Sequence, residues 1–369
     1  MFRSMSHEGS AADGAFVLAG GGTGGHVYPA IAVARELRRR DPGVRVVFAG
    51  TRRGLEAQAA PREGFPVEFL ATSGFVGKDW RAKLRAFAGL AVGFFQAVSL
   101  LRRNRARAVL GVGGYASLPV LLAARISGVP AMIQEQNSVP GLANRIGSRL
   151  SRVTAAGFRS AAERFGRKGI WTGNPVREEF FHLSRLSSAS ISRRVFIFGG
   201  SQGARVLNEA LVEAAPRLEA AGVSVVAQTG ERQHAEVSEA LRPFPGIRVE
   251  PFFPEIWKEI EAASLVVSRA GALTLAELCA AGRPSILVPF AAATHHHQDR
   301  NARELEAAGA SLVIRETELD GPALARSVIA LLAEQPRLLA MAAAAKNLAR
   351  PRAAADLADL LMELAGSRS

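Results

Sequence analysis

Twice along this chain a short apolar run ends in glycines and passes directly into a helical pattern. The first is FVLAGGGTGGHVYPAIAVARELRRR at residues 16–40, and the second is VFIFGGSQGARVLNEAL at 195–211. In the first, Ile31, Val33, Ala34 and Leu37 fall close to helical spacing, which puts the glycines at a helix N-terminus. Free N–H groups and the positive end of the helix dipole face outward there, and glycine lets an anion or a sugar approach the backbone closely. A strand, a glycine turn and a helix in that order open a doubly wound α/β domain. Finding the device twice predicts two such domains.

The rest of the chain fits that expectation. Strand candidates AFVLAG, VRVVFAG, FPVEFL, RAVLGVGG, PAMIQE and RVTAAG alternate with helical stretches up to about residue 172, as in a parallel sheet covered on both faces. The pattern restarts with RVFIFGG, VSVVAQTG, IRVEPF, SLVVSRAG and PSILVPF. The boundaries read as an extension at 1–14, a first domain at 15–175, a serine-containing linker at 176–193, a second domain at 194–350 and a final helix at 351–369, a candidate to pack back on the first domain. A third glycine loop, GVGGYAS at 111–117, follows the fourth strand. Three such loops facing one cleft suggest a large, polar, phosphorylated ligand.

Composition narrows the class. A chain of 369 residues with 48% hydrophobic and 21% charged residues is long enough for two cores and is not read as disordered. Cys279 is the single cysteine, so neither an internal disulfide nor a multi-cysteine metal site is expected. The start, MFRSMSHEGSAADG, is polar and reads as a frayed extension, neither a signal peptide nor an anchor, with Met5 as an alternative start. Against 33 Asp and Glu stand 46 Lys and Arg, a net charge of +13 that favours an anionic partner. No helix-turn-helix, zinc-knuckle or aromatic-basic signature supports nucleic acid, and acidic lipid or a phosphorylated substrate explains the charge equally well.

The motifs permit other readings. Gly20 to Gly25 satisfy G-x-G-x-x-G, but the second strand ends in Thr51, Arg52 and Arg53 without an acid for the ribose, which permits only an NADP-dependent oxidoreductase. The second glycine loop speaks against that reading. A Walker P-loop is excluded more firmly, because His26 stands where the phosphate-binding lysine belongs. HHHQDRNA at 295–302 invites zinc, yet adjacent histidines point in different directions and no carboxylate or cysteine cluster accompanies them.

Taken together, GGGTGGHVYPA, GVGGYAS, EQNSVPGLANR, GNPVR, GGSQGARVLN, SRAGALTLAE and HHHQDRNA resemble, in order, the motifs of the MurG family of peptidoglycan N-acetylglucosaminyltransferases. The resemblance implies a GT-B glycosyltransferase fold of class α/β: two Rossmann-like doubly wound parallel-sheet domains facing a cleft. It implies UDP-N-acetylglucosamine (UDP-GlcNAc) as donor, bound by the C-terminal domain. The acceptor would be undecaprenyl-diphospho-N-acetylmuramoyl-pentapeptide (lipid I), taken by the N-terminal, membrane-facing domain, with inversion at the anomeric carbon and lipid II as product. A glycosyltransferase of the same fold with another acceptor is the alternative. No cofactor and no metal is expected, since the sequence has no Asp-x-Asp motif. Implied partners are the two substrates, an anionic membrane surface and other cell-wall synthesis proteins, with no nucleic acid, at the cytoplasmic face of the inner membrane.

Residue by residue, the resemblance assigns Thr23, Gly24, Gly25, Asn137, Arg177, Ser201, Gln202, Phe253, Ala272, Leu273, Thr274, Glu277 and Gln298 to the donor, with Asn301 as a second candidate beside Gln298. Glu277 would take the uridine ribose, Phe253 the uracil, and Asn137 the hydroxyls of the sugar. Without the resemblance Ser201 reads as a helix cap, Arg177 as a surface ion pair and Glu277 as a glutamate favoured by the helix dipole. Gly22, Gly113, Gly114 and Tyr115 fall on the acceptor side. His26, disfavoured as a cation at a helix N-terminus, is the candidate base for the acceptor hydroxyl, or else orients it. A lipid-linked acceptor also calls for a membrane-facing surface, for which Phe75, Lys78, Trp80 and Arg81 are the candidates. The uncharged run 86–101 falls short of a bilayer span and reads largely as a helix packed on the sheet.

Overall fold

In the computed structural model the described residues are 14–71, 80–114, 116–200, 202–293 and 297–367, with 80–88 described by backbone alone. The chain divides into two units, 1–136 with 140–172 and 352–369, and 137–139 with 173–351.

The first unit alternates strand and helix: β1 (Ala15–Ala19), α1 (Gly24–Arg40), β2 (Arg45–Gly50), α2 (Glu56–Arg62), β3 (Val67–Phe69), α3 (Trp80–Arg103), β4 (Ala108–Gly111), α4 (Ser117–Ile126), β5 (Ala131–Glu135), α5 (Leu142–Leu150), β6 (Val153–Ala156), α6 (Arg159–Arg164) and β7 (Gly169–Trp171). Its sheet is parallel, in the order β3-β2-β1-β4-β5-β6-β7. Phe16 and Leu18 point into one apolar cluster, Val17 and Ala19 into another on the opposite face. Burial on both faces is why these strands read as unbroken apolar runs. The strand order reverses between β1 and β4, so the loops after both strands, Gly20–Thr23 and Val112–Gly114, meet at the carboxyl edge of the sheet.

The second unit repeats the plan: β8 (Arg194–Phe198), α7 (Arg205–Ala220), β9 (Ser224–Gln228), α8 (His234–Leu241), β10 (Ile247–Glu250), α9 (Ile256–Ala262), β11 (Leu265–Ser268), α10 (Ala272–Ala281), β12 (Ser285–Leu287), α11 (His297–Ala307), β13 (Ser311–Val313), α12 (Gly321–Ala333) and α13 (Gln335–Leu348). The sheet order is β10-β9-β8-β11-β12-β13, again parallel and again reversing at its first strand. The last helix, α14 (Ala353–Gly366), belongs to the first unit. Leu357, Ala358, Leu361 and Leu364 enter the cluster of Val27, Ile31 and Ala34, and Arg40 of α1 holds Asp359 and the Ala355 carbonyl.

Three features depart from the sequence reading. Strands β7 and β13 were not foreseen, because a three-residue edge strand leaves too little alternation to recognise. The segment 176–193 is not a free linker: Phe180 is wholly buried, edge-on to Trp257, and Arg283 holds the Ser184 carbonyl at 2.8 Å. Helix α3 buries Ala97, Leu100 and Leu101 but leaves Val92 and Phe95 exposed, so its face is packed only in part. Among the described residues no single helix is long and apolar enough to cross a membrane.

Candidate active site

In the first unit the loops after β1 and β4 touch through bare backbone. A Cβ on Gly20 would fall 2.4 Å from the Gly113 carbonyl oxygen, and one on Gly114 would fall 2.4 Å from that of Gly21. Gly113 and Gly114 have φ of +91° and +78°, a region that side chains disfavour. Thr23 caps the N-terminus of α1 through its carbonyl, which accepts from His26 N–H at 3.1 Å. A Cβ on Gly113 would lie 3.3 Å from His26 Nε2 and 3.5 Å from Asn144 Nδ2, so those two side chains border the same spot.

His26 is half-buried, but its Nδ1 is sealed and has no hydrogen-bond partner among the described residues. That burial pushes its pKa down to about 4, against a smaller upward pull from the Glu56 carboxylate. The imidazole is therefore neutral at pH 7 and able to accept a proton. Behind it lies a buried polar shelf at the end of β5: Asn144 donates to Glu135 at 2.9 Å, and Gln136 donates to the Val112 carbonyl at 2.9 Å.

In the second unit the glycine loop after β8 opens onto a cavity of about 530 Å³. Its lining includes Gly199, Gly200, Gly203, Arg205, Arg269, Thr274, Phe290, Gln298 and Glu316. Both arginines already hold acids: Arg205 pairs with Glu209 at 2.6 Å and Arg269 with Glu316 at 3.0 Å. Glu316 also accepts from Ala291 N–H, and these donors hold its carboxyl below the usual carboxylate range despite burial. Gln298 accepts from Phe290 N–H at 2.9 Å, which leaves its amide N–H groups to donate. Gln228 at the end of β9 ties the loop together, donating to Gly200 O and accepting from Phe253 N–H, each at 3.0 Å.

On α10 of the same unit, Glu277 lies 3.7 Å from Arg177, whose guanidinium stacks over Trp257 at 4.7 Å. Burial raises the Glu277 carboxyl to about 7, and the Arg177 charge opposes that rise.

Residues 16–155 match the N-terminal domain of glycosyltransferase family 28, and residues 194–357 match its C-terminal domain. The chain is 42% identical over 359 residues, 95% of this chain and 93% of the relative, to the UDP-N-acetylglucosamine–N-acetylmuramyl-(pentapeptide) pyrophosphoryl-undecaprenol N-acetylglucosamine transferase of Anaeromyxobacter dehalogenans strain 2CP-1. Its structure is similar to the crystal structure of Acinetobacter baumannii MurG, with a TM-score of 0.80, 29% identity and coverage of 95% and 99% of the two chains. The chain belongs to the MurG family.

The fold is accordingly GT-B, and the calicheamicin glycosyltransferase CalG4 is similar in fold alone, with a TM-score of 0.70 at 16% identity over 96% of this chain and 99% of that one. Of the residues that the MurG resemblance singles out, Thr274 and Gln298 line the cavity, while Arg177 and Glu277 form a pair of their own. Ala272 is buried, and Leu273 and Thr274 are half-buried on the first turn of α10. Gln202 is exposed beside the cavity's glycines. Phe253 packs edge-on against Phe196 of β8, and its neighbour Phe252 is the exposed ring of that loop. Asn301 is fully buried. Its amide accepts from Ser138 N–H and hydroxyl and donates to Asn137 Oδ1 and Ala270 O. Those four bonds occupy the amide completely and tie Asn301 to the 137–138 segment. In the first unit Gly22, Thr23 and Gly25 are exposed, with Gly24 half-buried.

Ser201, Tyr115, Phe75 and Lys78 lie outside the described residues, as do His295 and His296 and the side chains of Trp80 and Arg81. The sequence reading missed Glu56, Arg269 and Glu316. Arg269 stands inside the quoted motif SRAGALTLAE and was within reach of it, whereas Glu56 and Glu316 carry no motif of their own.

Proposed function

We propose a division of labour by which this chain carries out the reaction of the MurG family. The enzyme is a UDP-GlcNAc-dependent N-acetylglucosaminyltransferase that converts lipid I to lipid II in peptidoglycan synthesis. The acceptor 4-hydroxyl oxygen attacks the anomeric carbon of the donor. The bond from that carbon to the β-phosphate oxygen breaks, UDP leaves with the electron pair, and the hydroxyl proton passes to a base.

The observation that carries the assignment of roles is the neutral, half-buried His26 at the head of α1. With Nδ1 sealed, Nε2 beside Gly113 is the nitrogen that would meet the acceptor hydroxyl. A pKa near 4 makes a weak base in the free enzyme. The negative charge of a bound acceptor diphosphate raises it toward the useful range. On the donor side, Glu277 is suited to accept both ribose hydroxyls as Arg177 steadies its charged form. The glycine loop and the N-terminus of α7 would receive the diphosphate, since Arg205 and Arg269 are already paired. Gln298 and Asn137 remain the contacts proposed for the sugar, and Phe253 or its exposed neighbour Phe252 the one proposed for uracil.

The family works on a membrane-borne acceptor, and the chain is membrane-associated. We assign the contact to the cytoplasmic face of the inner membrane through Phe75, Lys78, Trp80 and Arg81, extended by the exposed Val92 and Phe95 of α3. The test of the reaction is UDP release from UDP-GlcNAc, with and without a short-chain lipid I analogue, in metal-chelated buffer. Acceptor-dependent release is expected, and release that ignores the acceptor overturns the assignment.

A further inference from the structure

Helix α9 carries no residue of the reaction above, yet it is tied at both ends to the segment that bears Arg177. At its C-terminal end the buried Arg283 donates to the Ile260 and Glu261 carbonyls at 3.0 and 2.9 Å and to the Ser184 carbonyl at 2.8 Å. Glu261 in turn accepts from Ser184 N–H at 2.8 Å. On the first turn of α9, Trp257 meets the wholly buried Phe180 edge-on, with ring centroids 6.4 Å apart. Residues 177–184 are thus strapped along a helix of seven residues. Arg177 stands where the strap begins, just ahead of the 3-10 turn Glu178–Phe181.

The pairing with Glu277 does not by itself fix the Arg177 guanidinium. At 3.7 Å the contact is longer than a direct hydrogen bond, and a long side chain held so loosely keeps much of its rotamer freedom. Two ring faces supply what the carboxylate does not. The guanidinium carbon lies 4.7 Å from the ring centroid of Trp257 and 5.1 Å from that of Phe180. A cation over an aromatic face is attracted by the ring quadrupole, most strongly by indole. Such a contact consumes none of the guanidinium N–H donors, which stay available to Glu277 and to a ligand. Glu277 needs the support, because burial raises its carboxyl to about 7 and Arg177 is the charge among the described residues that opposes the rise. Other charged groups on the elements packed against α10 have partners of their own: Lys346 of α13 donates to the Ala280 carbonyl, Glu178 meets His182, Glu259 of α9 holds Arg248, and Asp299 of α11 holds Arg303.

We propose that Trp257 is a positioning residue for the donor half of the reaction: with Phe180 set against it, its ring holds the Arg177 guanidinium beside Glu277 and so keeps that carboxylate charged for the ribose hydroxyls. The proposal rests on the reading of Glu277 as the ribose contact. Trp257 acts through Arg177, and the strap along α9 keeps the two in register.

The test uses the full chain and titrates it with UDP by calorimetry between pH 6 and 9. Trp257→Leu keeps an apolar side chain and removes the ring. It should weaken UDP binding about fivefold at pH 7, the size of a lost cation–π contact. The loss should shrink toward pH 9, where Glu277 is more fully ionised in both chains. Trp257→Phe keeps a ring face and should restore most of the affinity. In an Arg177→Ala background Trp257→Leu should add nothing further, because the group through which it acts is gone. Melting curves identify any loss of fold, and if Trp257→Leu does not fold, Trp257→Met takes its place. A folded chain without the ring that binds UDP as tightly as the wild type at pH 7 overturns the role of Trp257 and leaves the donor site standing. So does a loss that is the same at every pH, that Trp257→Phe does not restore, or that persists in the Arg177→Ala background. Unchanged UDP affinity in Arg177→Ala and Glu277→Ala alike overturns the donor reading beneath it.

Discussion

The two glycine loops begin from the same sequence device and end in different surroundings. After β1, Glu56 fills the space beneath Gly21 and takes the Gly22 N–H. After β8, Gly200 has φ of +89° and nothing within 4 Å of where a Cβ would stand, and the loop lines a cavity of about 530 Å³. One loop gives its Gly22 N–H to a carboxylate of the chain, and the other borders an open cavity. Glycine spacing alone therefore does not fix the surroundings of such a loop. The fold decides which of the loop's N–H groups find a partner within the chain.

The largest expected effect tests the chemical side of this contrast. His26→Ala should reduce turnover by about a hundredfold or more, the magnitude of a lost general base, and leave UDP affinity unchanged. A variant with near-normal turnover would assign His26 to orienting the acceptor, and loss of UDP affinity would blur the separation between the loops. On the open side, Arg177→Ala and Glu277→Ala should each weaken UDP binding by roughly 10- to 100-fold by titration calorimetry, as expected for charge-assisted hydrogen bonds. Unchanged affinity would detach that pair from the ribose.

The pH dependence sharpens the comparison further. The Glu277 carboxyl, raised to about 7, is largely protonated below that pH, where it accepts less well. UDP affinity should therefore rise by about tenfold between pH 6 and 8, a dependence absent from Glu277→Gln. His26 titrates in the other sense. With its pKa lowered from 6.5 to about 4, the folded chain refuses a proton that the unfolded chain takes up. Its contribution to stability is complete above pH 6.5 and is lost as the pH falls toward 4, by at most about 3 kcal/mol. In urea titrations His26→Gln should lack that acid slope. The smallest effect concerns the membrane: replacing Phe75 and Trp80 with serine should weaken binding to anionic liposomes several-fold and spare UDP affinity, and Phe95→Ser should add to it. Equal liposome binding by all three chains would remove the patch.

Much of the fold was legible because the relevant signals are local. A buried parallel strand needs a run of apolar residues such as AFVLA or RVFIF, glycines must follow where the chain turns sharply into a helix, and both marks lie within a few residues of each other. The ordered motifs, read against a known family, gave the reaction and named Thr274 and Gln298, which line the open cavity, and Arg177 and Glu277, which pair. The contacts of Asn301 were not legible, since its partners Asn137 and Ser138 lie more than 160 residues away.

By itself, then, the sequence determined the alternating α/β plan, the two glycine loops and the family's reaction, because these depend on residue type and short spacing. Only the tertiary structure decided which partners each loop would meet. Glu56 reaches Gly22 across 34 residues, through the pairing of β1 with β2, and α14 returns from the far end of the chain to buttress α1. The physical reason is that a hydrogen-bond donor does not carry its partner in its own sequence. Packing brings the carboxylate to the amide, and residues far apart in the chain become partners.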